Sequence, residues 1–115
     1  MKIEKFEDII AWQKGKLLTL EIYKIFVDCK DYGFKDQVQR ASVSIVNNIA
    51  EGFERKSDKE FARFLFIAKG SCGEVRSMIY LAYELGYMAK EEARKCYDLS
   101  IEISKLISGF IKTLK

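Results

Sequence analysis

The stretch FARFLFIAKGSCGEVRSMIYLA, residues 61–82, is apolar in two directions at once. At 100° per residue, Phe61, Phe64, Leu65, Ala68, Cys72, Val75, Ile79 and Ala82 share one side of a helix, the stripe a helical bundle buries. The other side should then be wet. Instead Phe66, Gly70, Gly73, Ser77 and Tyr80 recur there at spacings of 4, 3, 4 and 3, a second seam of aromatic and very small residues. Each glycine inside a helix costs about 1 kcal/mol relative to alanine. Close approach by another helix backbone would offset that cost. Because the first side serves the chain's own core, the second is expected to meet another copy, so these five residues are the candidate interface of a homo-oligomer.

Working outward from this segment, helix punctuation divides the rest. The 115 residues include no proline, which favours long uninterrupted helices. DCKDYGF at 28–34 has turn composition around Gly33, SDKE at 57–60 is a capping box, and Gly86 suits a helix C-cap. These breaks predict helices over 7–28, 35–55, 58–85 and 90–113, with connections short enough to reverse the chain each time. The expected fold is all-α, an antiparallel up-and-down left-handed four-helix bundle, with residues 1–115 forming a single domain. In the last helix Cys96, Leu99, Ile103, Leu106 and Phe110 repeat at 3, 4, 3 and 4, a knobs-into-holes seam. In the first, Ile9, Ile10, Trp12, Leu17, Leu20, Tyr23 and Phe26 supply the apolar face.

The second helix aims Phe34, Val38, Ala41, Ile45 and Ile49 at the core. Along its flank Gln37, Arg40, Ser44, Asn48, Glu51 and Arg55 recur at 3, 4, 4, 3 and 4. Short amides and hydroxyls there, where a solvated face would favour Lys and Glu, suit hydrogen bonding to a partner.

Composition narrows the function. Among the 115 residues, 49% are hydrophobic and 32% charged, typical of a globular chain. The N-terminal MKIEKFEDII has charges where a signal peptide needs an apolar run, and no stretch approaches the ~20 apolar residues of a membrane span, so a cytoplasmic, non-membrane protein is expected. Cys29, Cys72 and Cys96 are widely spaced and odd in number, which suits reduced core thiols. The complete lack of histidine removes the commonest general base and the Glu-x-x-His pairs of di-iron bundles. GSCGE at 70–74 sits mid-helix without the lysine of a phosphate loop. A carboxylate-only metal set would have to come from Glu51, Glu54, Asp58 or Glu74. No catalytic, cofactor-binding or metal residues are assigned, and an enzyme is not expected.

The net charge of +3 concentrates in residues 55–76, which hold six basic and three acidic side chains. This motivates the main functional expectation, a homo-oligomer that binds RNA or DNA through phosphate contacts. The candidates are Arg40, Arg55, Lys56, Lys59 and Arg63, whose modest excess symmetry would multiply. The alternative is a structural scaffold recruiting a protein partner through the polar stripe of the second helix.

QVQRASVSIVNNIAEGFER at 37–55, FARFLFIAKGSCGEV at 61–75, the Leu85-Gly86 pair and Trp12 together resemble the small proteins encoded in intervening sequences of bacterial 23S ribosomal RNA genes. The resemblance runs from Phe6 to Leu114, and its most specific part is NIAEG followed by Arg55 and later Gly70-Ser71. It implies a left-handed four-helix bundle and, by analogy, a ring-shaped homopentamer. The accessory proteins of diversity-generating retroelements look like relatives, and they form basic pentameric barrels that bind nucleic acid and a reverse transcriptase. Where the family pattern often has a Phe-Pro pair at the end of the first helix, this chain reads Phe26-Val27-Asp28.

Overall fold

A computed structural model describes residues 3–114. A short 3-10 turn, Phe6–Asp8, leads into α1 (Ile10–Ile25), followed by α2 (Tyr32–Phe53), α3 (Asp58–Glu84) and α4 (Lys90–Lys112). No strand occurs among the described residues, so the all-α expectation holds.

Local chemistry sets the boundaries. α2 starts three residues earlier than expected because the Asp31 carboxylate caps it, accepting from the Phe34 amide at 3.2 Å; Gly33 therefore lies in the first helical turn. α3 starts as expected, with the Ser57 hydroxyl accepting from the Glu60 amide at 3.2 Å. It ends at Gly86, the one described residue with positive φ, +81°. There the Tyr87 amide donates to the Ala82 carbonyl at 2.8 Å and the Gly86 amide to that of Tyr83 at 3.1 Å, the paired bonds of a Schellman cap. α4 opens with Glu92 accepting from the Ala89 amide at 2.8 Å. α1 is shorter than 7–28, since Ile9 and Phe26 leave helical geometry at its two ends while staying buried.

Side-chain pairs show how the helices run. Lys14 meets Glu102 and Glu21 meets Lys95, both at 3.3 Å, so α1 and α4 are antiparallel. Gln37 donates to Glu74 at 3.2 Å and Ser44 bonds Ser71 at 2.8 Å, so α2 and α3 are antiparallel as well. Each helix packs on its two neighbours around the bundle, with α1 diagonal to α3 and α2 diagonal to α4.

One hydrophobic cluster runs through all four helices. In α3 the expected stripe is buried, with Phe64 half-buried at its edge. Val38, Ala41, Ile45 and Ile49 of α2 are buried, and Phe34 closes one end of the core against Phe26 and Tyr87. In α4 the fully buried line is Ala93, Cys96, Ser100, Ile103 and Ile107, while Leu99, Leu106 and Phe110 pack half-buried beside it. Ser100 is tolerated in the core because its hydroxyl donates to the Tyr97 carbonyl at 2.7 Å.

α1 departs most from expectation. Its buried line is Ala11, Gly15, Leu18 and Ile22, whereas Ile10, Leu17, Leu20 and Tyr23 are exposed. The small residues face inward because α2 comes close: a methyl group on Gly15 would stand 2.8 Å from Val46 Cγ1. The Thr19 hydroxyl then lies 3.1 Å from the Ser42 carbonyl and donates to it.

Candidate nucleic-acid and assembly interface

The five basic candidates do not form one patch. Arg40 lies about 20 Å along α2 from Arg55, given a rise of ~1.5 Å per residue. Its Nε pairs with Asp36 at 2.8 Å. Arg55 donates to Glu51 at 2.9 Å and its guanidinium lies over the Phe64 ring, 4.7 Å from the centroid. Among the described residues, Lys56, Lys59 and Arg63 make no ion pair. These three share the α2–α3 connection and the first turns of α3 with Arg55. Arg55 and Lys56 also border an open groove of about 1050 Å³, whose apolar wall includes Ile9, Phe53, Phe61 and Phe110. The structure thus gathers Arg55, Lys56, Lys59 and Arg63 at one end of the bundle and leaves Arg40 apart.

The second seam of α3 is uncovered. Phe66 and Tyr80 are 58% and 59% exposed, and a methyl group added to Gly70 or Gly73 would meet nothing within 4 Å. Neither glycine is needed for packing inside the chain. Tyr80 leans on Tyr97 of α4, edge to face with ring centroids 5.5 Å apart. The neighbouring Tyr97 hydroxyl holds the Tyr80 pKa above the usual tyrosine value. On the flank of the same seam, Arg76 has a buried Nη1 with no hydrogen-bond partner.

The polar stripe of α2 is largely spent inside the chain. Besides the bonds of Gln37 and Ser44 to α3, the Asn48 amide donates to the Ser44 carbonyl at 2.8 Å and its hydroxyl at 3.0 Å. Phe53 and Tyr87, two aromatics at helix ends, pack against Phe61 and Phe34. Burial pushes the thiols of Cys72 and Cys96 up to about 11, so neither is a thiolate at neutral pH. Among the described residues no three Cys, Asp or Glu side chains gather as a metal cage, and no helix is long and apolar enough to cross a membrane.

Residues 7–109 match the family of 23S rRNA-intervening sequence proteins. The chain belongs to that family. Among solved structures, this family member is similar to a protein of unknown function from the S23 ribosomal protein family of Bacteroides thetaiotaomicron VPI-5482. The two are 27% identical over 89% of this chain and 98% of that one, with a TM-score of 0.83. No curated protein matches. In this family member the NIAEG run has a structural use, because a methyl group on its Gly52 would stand 2.6 Å from Phe64 Cβ of α3. Phe26-Val27-Asp28 forms the turn after α1 without a proline, with the Cys29 amide donating to the Phe26 carbonyl at 3.0 Å.

Sequence reasoning found the seam of α3 and missed the outward apolar face of α1. It also missed Arg76, whose unpartnered nitrogen has no signature in the sequence.

Proposed function

We propose that this chain is a non-enzymatic, homo-oligomeric interaction protein that assembles through the outward face of α3 and binds nucleic acid through phosphate contacts. The observation that carries the reading is the pair of half-exposed aromatics, Phe66 and Tyr80, flanking two glycines that pack against nothing. Gly70 and Gly73 cost helix stability in a lone copy, and a second copy in contact with them would offset it. The family resemblance sets a ring of five as the expected assembly. Cys29, Cys72 and Cys96 are unpaired thiols, in keeping with a reducing, cytoplasmic setting.

Phosphate contacts fall to Lys56, Lys59 and Arg63, with Arg55 available by exchanging Glu51 for a phosphate. Their charge repeats once per copy around an assembly. The scaffold alternative, a protein partner on the α2 stripe, has less surface to use, since Gln37, Ser44 and Asn48 are already bonded.

Salt separates the two. Phosphate binding predicts that retention on single- or double-stranded nucleic acid falls steeply between low and physiological salt, and that Lys56→Ala/Lys59→Ala flattens that slope. Retention that ignores both changes, or is never seen, contradicts the nucleic-acid reading and leaves assembly standing.

A further inference from the structure

Exposed apolar side chains are not confined to α3. α1 turns Ile10, Leu17 and Leu20 outward at 52%, 54% and 57% exposure, with Val27 at 62% just past its end. With the exposed Gln13 and Lys24 between them, these residues recur at 3, 4, 3, 4 and 3. On α3 the outward Phe66, Gly70, Gly73, Ser77 and Tyr80 recur at the matching 4, 3, 4 and 3. The two faces are complementary in size. One register sets Leu17 opposite Gly70 and Leu20 opposite Gly73, knobs over a notch, and brings Val27 beside Tyr80. Within one chain α1 and α3 stand on a diagonal and cannot meet.

Resting on the reading that α3 meets another copy, we propose that its occupant is the outward face of α1 from the neighbouring molecule, docked parallel in a head-to-tail contact. Charge supports both direction and register. In a parallel seam the residues flanking the contact pair Lys16 with Glu74 and Lys69 with Glu21, both opposite in sign. Glu21 would share its charge with Lys95, its partner inside the chain. Running α1 the other way sets Lys16 against Arg76 and brings Lys24 within a turn of Arg63.

Area points the same way. The six large apolar residues of the two faces are each about half exposed, on the order of 90 Å² apiece, so covering them removes roughly 540 Å² before the glycines and the polar flanks are counted. A specific interface needs about 1,000 Å² in total. Pairing α3 with α3 would leave the α1 face in water. Because the contact joins two different faces, it propagates from copy to copy and closes into a ring when the rotation permits.

The test uses two full-length variants with substitutions only at outward positions, Leu17→Glu/Leu20→Glu on α1 and Phe66→Glu/Gly73→Leu on α3. Each is checked for helicity by circular dichroism and then for mass by light scattering at high protein concentration. Should the α1 pair lose helicity, Leu20→Lys alone takes its place. Each variant alone is expected at the 13.3 kDa of one chain. Mixed, they are expected to form a one-to-one heterodimer, since one keeps an intact α3 face and the other an intact α1 face. An α1 variant that keeps the wild-type mass, or a mixture that yields no heterodimer, overturns head-to-tail docking while homo-oligomerisation itself stands. A monomeric wild type overturns both.

Discussion

Gly52 of α2 lies so close to Phe64 of α3 that a methyl group on it would come within 2.6 Å of Phe64 Cβ and 3.0 Å of the Phe61 ring. A Cβ carbon cannot swing aside as a side-chain tip can, so the clash must be met by moving one helix. Gly52→Ala is therefore expected to destabilise the fold by about 1–3 kcal/mol, overriding the ~1 kcal/mol it gains in helix propensity. Gly109→Ala is the control, because nothing lies within 4 Å of its added methyl. Urea unfolding should move in opposite directions for the two, and a Gly52→Ala chain as stable as Gly109→Ala contradicts the close approach.

Tyr87 ties the α3–α4 turn to the start of α2, donating its hydroxyl to the Asp31 carboxylate at 2.8 Å. That hydrogen bond is the main reason its pKa lies above the ordinary tyrosine value, followed by burial and the Asp31 charge. A raised folded-state pKa means the contribution is present below the unfolded value, about 10, and is lost as pH climbs through the folded one. Tyr87→Phe should lower the melting temperature at pH 7, and the gap to wild type should close in strongly alkaline solution. A gap that persists unchanged there contradicts the assignment.

How far the fold was legible follows from which residues carried size. Where large apolar side chains face inward, as Leu65, Val75 and Ile79 do in α3 and Ile45 and Ile49 in α2, periodicity located the core directly. It misled in α1, where the inward line of Ala11, Gly15, Leu18 and Ile22 begins with two small residues and bulkier neighbours at Ile10 and Leu17 point out. Close helix packing wants small residues, and a search for bulk passes over them. Ser42 and Ser100 were missed for a related reason, since each satisfies its hydroxyl on its own helix and enters the core without a partner that sequence spacing could reveal. Of the candidate site, the α3 seam was visible because its glycines break helix propensity. The grouping of the basic residues was not, because their ion pairs depend on rotamers.

Thiol chemistry offers an independent check on the core. Cys72 and Cys96 are fully buried, with pKa values pushed up to about 11, while Cys29 is half-buried at the turn after α1. At pH 8 an alkylating reagent should label Cys29 alone in the native protein and all three thiols after denaturation. Rapid native labelling of Cys72 would mean that α3 and α4 do not pack as described, since its Sγ lies 3.1 Å from the Ser100 carbonyl in that contact.

The outward face of α3 is best tested by the solution mass of the wild type beside that of Gly73→Leu, measured by light scattering. A Cβ added there meets nothing within 4 Å, so the isolated fold should keep or gain helicity. Wild type is expected at a multiple of 13.3 kDa and Gly73→Leu at 13.3 kDa itself. A wild type already at that single-chain mass, or a Gly73→Leu assembly of undiminished mass, would contradict the account.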